Sequence, residues 1–279
     1  MNLYEDQFSA HHDLPPAGRP SKVFVIASTP RSGSHMLGHG LHETGRFGFP
    51  LEYANAHNLA EWKRRLDVTD TFDALRKIEA RRTSPNGVFS IKVHYAHLKR
   101  FGGFRGLADF YPGACYVLLS RKNVLRQAIS CSIAAQTGVW IDGQAPNGNT
   151  PHYRFRHIDA RLREAIRDTA SWRYELAANG VKYIEIDFDF AKHNIPAAIE
   201  RIADFMGVEL DPQSIPQQPV TRAQSDALND EWERRFVADH RGSVLFEPGR
   251  SSPLDLLKWR LKRLLSTSPA VRTSPRSGA

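Results

Sequence analysis

The chain has little sulfur, with two cysteines and three methionines in 279 residues. Cys115 falls in a predicted strand and Cys131 in a predicted helix, so a reduced, cytoplasmic protein is the expectation. Two cysteines with no suitably spaced histidines exclude a structural zinc site, and no metal is expected. No apolar run approaches the ~18 residues of a membrane span. Residues 1–20 are polar and proline-bearing and lack a signal-peptide core, so they are expected to form a flexible arm. No internal repeat is seen.

What is present is ordinary for a globular chain: 41% hydrophobic and 24% charged residues. The length suits one α/β domain with extensions. The net charge of +8 is uneven, because residues 246–279 carry +5 and the rest +3. A mildly basic body suits a small anionic cofactor. A nucleic-acid binder more often carries a basic stripe on the folded body, so no nucleic-acid partner is expected.

Strand-like runs alternate with helical ones. Strands are predicted over 23–27, 87–93, 115–119 and 181–186. Helices are predicted over 33–44, 123–137, 161–179 and 196–206, with helical segments over 59–82. Gly45, Gly180 and Gly207 stand at the predicted helix ends, and Asn123 at a start. The pattern implies α/β architecture, with a central, mostly parallel sheet flanked by helices over 21–245. Ligands bind such sheets beyond the strands' carboxyl ends, where Pro30, His94, Ser120 and Asp187 fall. Residues 141–157 are rich in Gly, Pro and Asn and are expected to form a mobile loop or lid.

The most informative stretch is Val23-Phe24-Val25-Ile26-Ala27-Ser28-Thr29-Pro30-Arg31-Ser32-Gly33-Ser34-His35-Met36-Leu37. A strand, a tight polar loop and a helix start make an anion cradle, since loop amides and the helix dipole both favour negative charge. Arg31 adds a cation, and Ser32 and Ser34 add hydroxyls. The nucleotide-binding loop Gly-x4-Gly-Lys-Ser/Thr does not match, because Gly33 is followed by Ser34 and the loop has no Lys. The strand at 115–119 runs into Ser120-Arg121, a second anion contact instead of a magnesium-holding acid.

Thr29-Pro30-Arg31-Ser32-Gly33-Ser34 resembles the 5′-phosphosulfate loop of sulfotransferases that use 3′-phosphoadenosine-5′-phosphosulfate (PAPS). Arg121 through Ser130 resembles their 3′-phosphate element. Phe49-Pro50-Leu51-Glu52-Tyr53, Gln136-Thr137-Gly138-Val139-Trp140 and Gln224-Ser225-Asp226-Ala227-Leu228-Asn229-Asp230-Glu231-Trp232 narrow the likeness. They are similar to the bacterial branch that includes trehalose 2-sulfotransferase and lipopolysaccharide sulfotransferase-like proteins. The likeness spans residues 21–242. It implies a P-loop-like sulfotransferase fold and in-line transfer of a sulfuryl group to a carbohydrate or glycolipid hydroxyl. The Arg121–Ser130 spacing is one residue longer than in the cytosolic eukaryotic enzymes, and His35 stands where a hydroxyl residue is usual.

The resemblance assigns roles. Arg31, Ser32, Gly33, Ser34 and His35 would hold the 5′-phosphosulfate, and Arg121 and Ser130 the 3′-phosphate. Arg222 would close over the cofactor, while Arg126 is read as solvated. Glu52 would take the proton of the acceptor hydroxyl, with its pKa raised by a dry pocket. Lys92-Val93-His94 resembles the Lys-x-His of the eukaryotic enzymes, which makes His94 a rival base and Lys92 a stabiliser of the leaving group. Trp140 is a candidate for stacking on a sugar. Dimers occur in the resembling branch, so a homodimer is one expectation. Two other functions fit the residues less well: an ATP-dependent small-molecule kinase, and a non-catalytic anion- or nucleic-acid-binding protein using the basic tail. In that tail Leu254, Leu257, Leu261, Leu264 and Leu265 form a stripe beside Lys258, Arg260, Lys262 and Arg263. A helix over 254–265 would allow peripheral contact with the inner membrane surface.

Overall fold

A computed structural model describes residue 5 and residues 7–15, 18–141, 143–219 and 226–240. The chain divides into two units, Met1–Arg241 and Gly242–Ala279. The second unit, with the expected helix over 254–265, lies outside the described residues, as does Arg222.

Four parallel strands form one sheet: β1 (Lys22–Ser28), β2 (Val88–His94), β3 (Cys115–Ser120) and β4 (Tyr183–Asp187). Their order is β2-β1-β3-β4, and Ile26 of β1 stands between Lys92 and Val117. β1 is Lys-Val-Phe-Val-Ile-Ala-Ser, the near-continuous apolar run expected of a strand covered on both faces. Alternation divides it between two layers. Val25 and Ala27 pack with Tyr116, Leu118 and Trp172, and Phe24 and Ile26 pack with Val117, Leu119 and Ile199.

The helices are α1 (Ser34–Glu43), α2 (Ala56–Leu66), α3 (Thr71–Arg82), α4 (Phe104–Phe110), α5 (Val124–Thr137), α6 (Phe155–Ala178), α7 (Phe188–His193), α8 (Ile195–Met206) and α9 (Asp226–Asp239). Asn123 caps α5 as expected, accepting from the Arg126 amide at 2.9 Å. The predicted helical segments over 59–82 are two helices, separated where Asp67 takes a φ of 51° and restarted by Asp70, whose carboxylate caps α3. α6 starts six residues before the predicted 161 because Phe155 stacks on Phe236 of α9 at 4.7 Å and Ile158 is fully buried. Among the described residues no helix is long and apolar enough to cross a membrane.

The described part of the expected flexible arm is docked. Phe8 is buried against Trp62 at 5.5 Å between ring centres. The fully buried Arg82 donates to the carbonyls of Gln7 and Ser9 and pairs with Asp13. An aromatic to bury and carbonyls for one nitrogen of a buried guanidinium outweigh the local polarity that suggested a loose segment.

Candidate functional site

In this strand order the connections from β1 and β3 leave in opposite directions, so a crevice opens at their carboxyl ends. Residues 29–33 turn there from β1 into α1. Arg31 and Gly33 have φ of 63° and 85°, the left-handed region. That costs a non-glycine residue such as Arg31 about 1–2 kcal/mol. Gln127 of α5 holds the turn, donating to Thr29 Oγ1 at 2.8 Å and to the Pro30 carbonyl at 2.7 Å. Gly33 is the N-cap of α1 and supplies no side-chain cap, so its leading amides are left to another acceptor. A Cβ on Gly33 would lie 2.1 Å from a ring carbon of Phe188, so both φ and space require glycine.

Two arginines flank the turn. Arg31 Nε donates to Ser130 Oγ at 2.9 Å, and its Nη1 donates to the Trp140 carbonyl. The longer Arg121–Ser130 spacing thus still brings Ser130 to the loop. Arg121 donates to the Arg31 carbonyl at 3.3 Å and lies 4.6 Å over the Phe188 ring. Its buried Nε has no partner among the described residues. Burial pushes both guanidinium pKa values down, yet the ordinary arginine range is so high that both stay cationic.

Across the crevice, the chain over 50–52 is strapped to β2. Leu51 bridges Ile91, and its carbonyl accepts from the Lys92 amide at 2.9 Å. Glu52 therefore lies over Lys92 and His94, alternate residues on one face of β2. Glu52 Oε1 pairs with Lys92 Nζ at 2.9 Å and His94 Nε2 at 3.1 Å. His94 Nδ1 meets Ser28 Oγ at 2.9 Å, so both its ring nitrogens are engaged. Asn55 reaches Glu52 Oε2 at 3.4 Å. Burial pushes the Glu52 carboxyl up. The charges of His94 and Lys92, with the His94 hydrogen bond, outweigh that and hold it well below the usual carboxylate range. The shift runs opposite to the expected one, because the pocket is dry but sets the Lys92 ammonium and the His94 hydrogen bond against the carboxylate.

One cavity of about 1190 Å³ is lined by Arg31, Gly33, Ser34, His35, Glu52, Lys92, His94, Arg121 and Ser130. Ser32 is fully buried and absent from that wall. His35 meets His39 at 3.1 Å, and burial with the nearby Lys92 charge holds its pKa well below the usual histidine value. Trp140 is no core residue: it lines the cavity at 43% exposure. Arg126, read as solvated, pairs with Asp230 and Glu233 of α9. The loop over 141–157 is pinned by Gln136, which donates to the His152 carbonyl at 3.1 Å and accepts from its amide at 2.9 Å. Sequence reasoning missed Gln127 and Phe188. Gln127 had one signal, a polar residue three before Ser130 on the same helix face. Phe188 had none.

The family model described as Stf0 sulphotransferase matches residues 23–113 and 91–239. Trehalose 2-sulfotransferase of Mycobacterium tuberculosis is 27% identical over 260 residues, covering 79% of this chain and 96% of that protein. Among solved structures, a sulfotransferase from Alicyclobacillus acidocaldarius is similar at 16% identity and a TM-score of 0.49, covering 80% of this chain and 93% of that one. The sulfotransferase domain of a Synechococcus olefin synthase is similar at 14% identity and a TM-score of 0.45, covering 91% and 98%.

Proposed function

The chain belongs to the Stf0 sulphotransferase family, and from that premise we propose that it moves a sulfuryl group from PAPS to a hydroxyl of a small carbohydrate. The observation that carries this is one cavity lined by the Arg31 and Arg121 guanidiniums and by the Glu52 carboxylate. The name of the Mycobacterium tuberculosis relative supports a sugar acceptor. At about 1190 Å³ the cavity exceeds the ~300–1,000 Å³ of a single small-molecule site, which suits a nucleotide and an acceptor together.

The residues fit the donor. Arg121 has a buried, unpartnered Nε among the described residues, α1 has an uncapped start, and Ser34 and Ser130 add hydroxyls at the wall. Arg31 and the amides of residues 33–35 would hold the 5′ end, and Arg121 and Ser130 the 3′-phosphate. PAPS, when bound, supplies the sulfuryl group and a stable leaving bisphosphate. Arg31 and Lys92 then stand as cations where negative charge develops, as loose group transfer requires.

Glu52 is the base. Both His94 nitrogens are engaged, whereas Glu52 is 22% exposed and its Oε2 meets only a long contact from Asn55. His94 and Lys92 fix Oε1, and Oε2 takes the acceptor proton. A carboxylate held this low is ionised at neutral pH but weakly basic, so the proton moves late, as the acceptor oxygen becomes acidic.

Calorimetric titration with 3′-phosphoadenosine 5′-phosphate (PAP) without magnesium tests the reading, with ATP alongside. The expected result is tight PAP binding, weakened in both Arg31→Ala and Arg121→Ala and not matched by ATP. Magnesium-dependent preference for ATP would instead indicate a kinase.

A further inference from the structure

We propose that Gln7, held in place by the N-terminal segment, forms part of the wall of the acceptor pocket and reads a hydroxyl beside the one that is sulfated. This rests on the sulfotransfer reading with Glu52 as base. Gln7 is buried at 6% exposure, yet it lines the same cavity as Glu52. Asn58 Nδ2 links the two, donating to Gln7 Oε1 at 3.4 Å and to the Glu52 carbonyl at 3.2 Å. Gln7 is thereby tied to the carboxylate's backbone through one side chain, on the side of the cavity away from Arg121.

The anchoring is heavy for a segment near a chain start. Arg82, fully buried, donates to the Gln7 carbonyl at 3.3 Å and the Ser9 carbonyl at 3.0 Å. The Leu14 amide donates to the Arg81 carbonyl at 2.8 Å, and Phe8 packs on Trp62. These contacts hold the backbone at and after Gln7. Gln7, Asn55 and Asn58 give this end of the cavity side-chain amides beside the Lys92–Glu52 pair. Amides carry both a donor and an acceptor, the match for a polyol and a poor match for an anion. Gln7 is thus a specificity-determining residue, brought to the site by a segment outside the sheet.

The test uses the full chain with Gln7→Leu, which keeps volume, and Gln7→Ala. Transfer from PAPS to trehalose, glucose and methyl glucoside is followed, and PAP affinity is measured by calorimetry. The expected result is a rise of about tenfold in acceptor KM, the loss of one buried neutral hydrogen bond, with PAP affinity and PAPS KM unchanged within about twofold. An unchanged acceptor KM in Gln7→Leu, or PAP affinity falling alongside it, overturns the proposal. Wild-type PAP binding with no sugar sulfated overturns Gln7 as a hydroxyl reader. No PAP binding at all overturns the sulfotransfer reading beneath it.

Discussion

Replacing Glu52 by glutamine keeps the shape of the side chain and removes its charge. In the native site that charge faces the Lys92 ammonium at 3% side-chain exposure and the His94 ring at 8%. Removing one partner of a fully buried pair costs about 3–5 kcal/mol, because the other charge is left uncompensated. Glu52 itself is 22% exposed, so water moderates the loss, and about 2–4 kcal/mol is the working figure. For a domain of this size that lowers the melting temperature by roughly 5–15 °C. A second substitution, Lys92→Met, removes the orphaned ammonium and is expected to restore most of the melting temperature. Activity behaves differently. Turnover in Glu52→Gln falls by about 10²–10⁴, the usual contribution of a general base, and the double variant recovers none of it. PAP affinity stays within about threefold in Glu52→Gln, since this carboxylate sits apart from the two arginines. The assays are thermal unfolding, sulfate transfer from labelled PAPS and calorimetry. Turnover within a few-fold of wild type would refute Glu52 as base. A double variant that melts as low as the single one would refute the ion-pair account of its stability.

The depressed Glu52 pKa gives a pH signature: below about pH 4.3 the unfolded carboxyl takes up protons before the folded one. Glu52 stabilisation is therefore fully present above that pH and lost toward lower pH, so Glu52→Gln should flatten the acid limb of urea-unfolding curves. His42 adds to the same acid loss, with burial lowering its pKa to about 4. The unfolded chain protonates below about pH 6.5, so His42 should cost roughly 2–3 kcal/mol by pH 4, absent in His42→Gln. Gly33→Ala adds left-handed strain to a collision with Phe188 and should lower PAP affinity more than about tenfold. Wild-type affinity there would show that the turn relaxes freely. Gln127→Leu unties the turn from α5 and should weaken PAP more than adenosine 5′-phosphosulfate, by about 1–3 kcal/mol of lost buried hydrogen bonding. Equal weakening of both ligands would mean that Gln127 does not set the spacing of the two phosphate sites.

Much of the architecture was legible because it rests on short-range pattern. The run 23–27 reads as a buried strand from its composition, and the small polar stretch after it reads as a tight loop from its place between strand and helix. Asn123 was legible as a cap and Gly207 as a stop for the same local reason. Errors fell where a distant residue intervenes. The α6 start at Phe155 depends on Phe236, and the docking of Phe8 depends on Trp62 and Arg82. Arg126 looked solvated because its partners Asp230 and Glu233 lie about a hundred positions away.

The site shows the same division. Sequence alone determined which chemistry is available: an anion cradle at Arg31–Ser34, a second cation at Arg121, and candidate bases at Glu52 and His94. The cradle and the second cation are properties of residue type and of spacing within one element, and the two bases are what the family resemblance implies. It presented Glu52 and His94 as rivals, because they lie forty-two positions apart. The tertiary structure joined them with Lys92 around one carboxylate oxygen, turned the Glu52 pKa downward and left its other oxygen with a long contact from Asn55. Proton affinity and orientation depend on charges within a few ångströms and on what excludes water. Those distances are set by how β2, α5 and the strap at residues 50–52 pack, which no local pattern encodes.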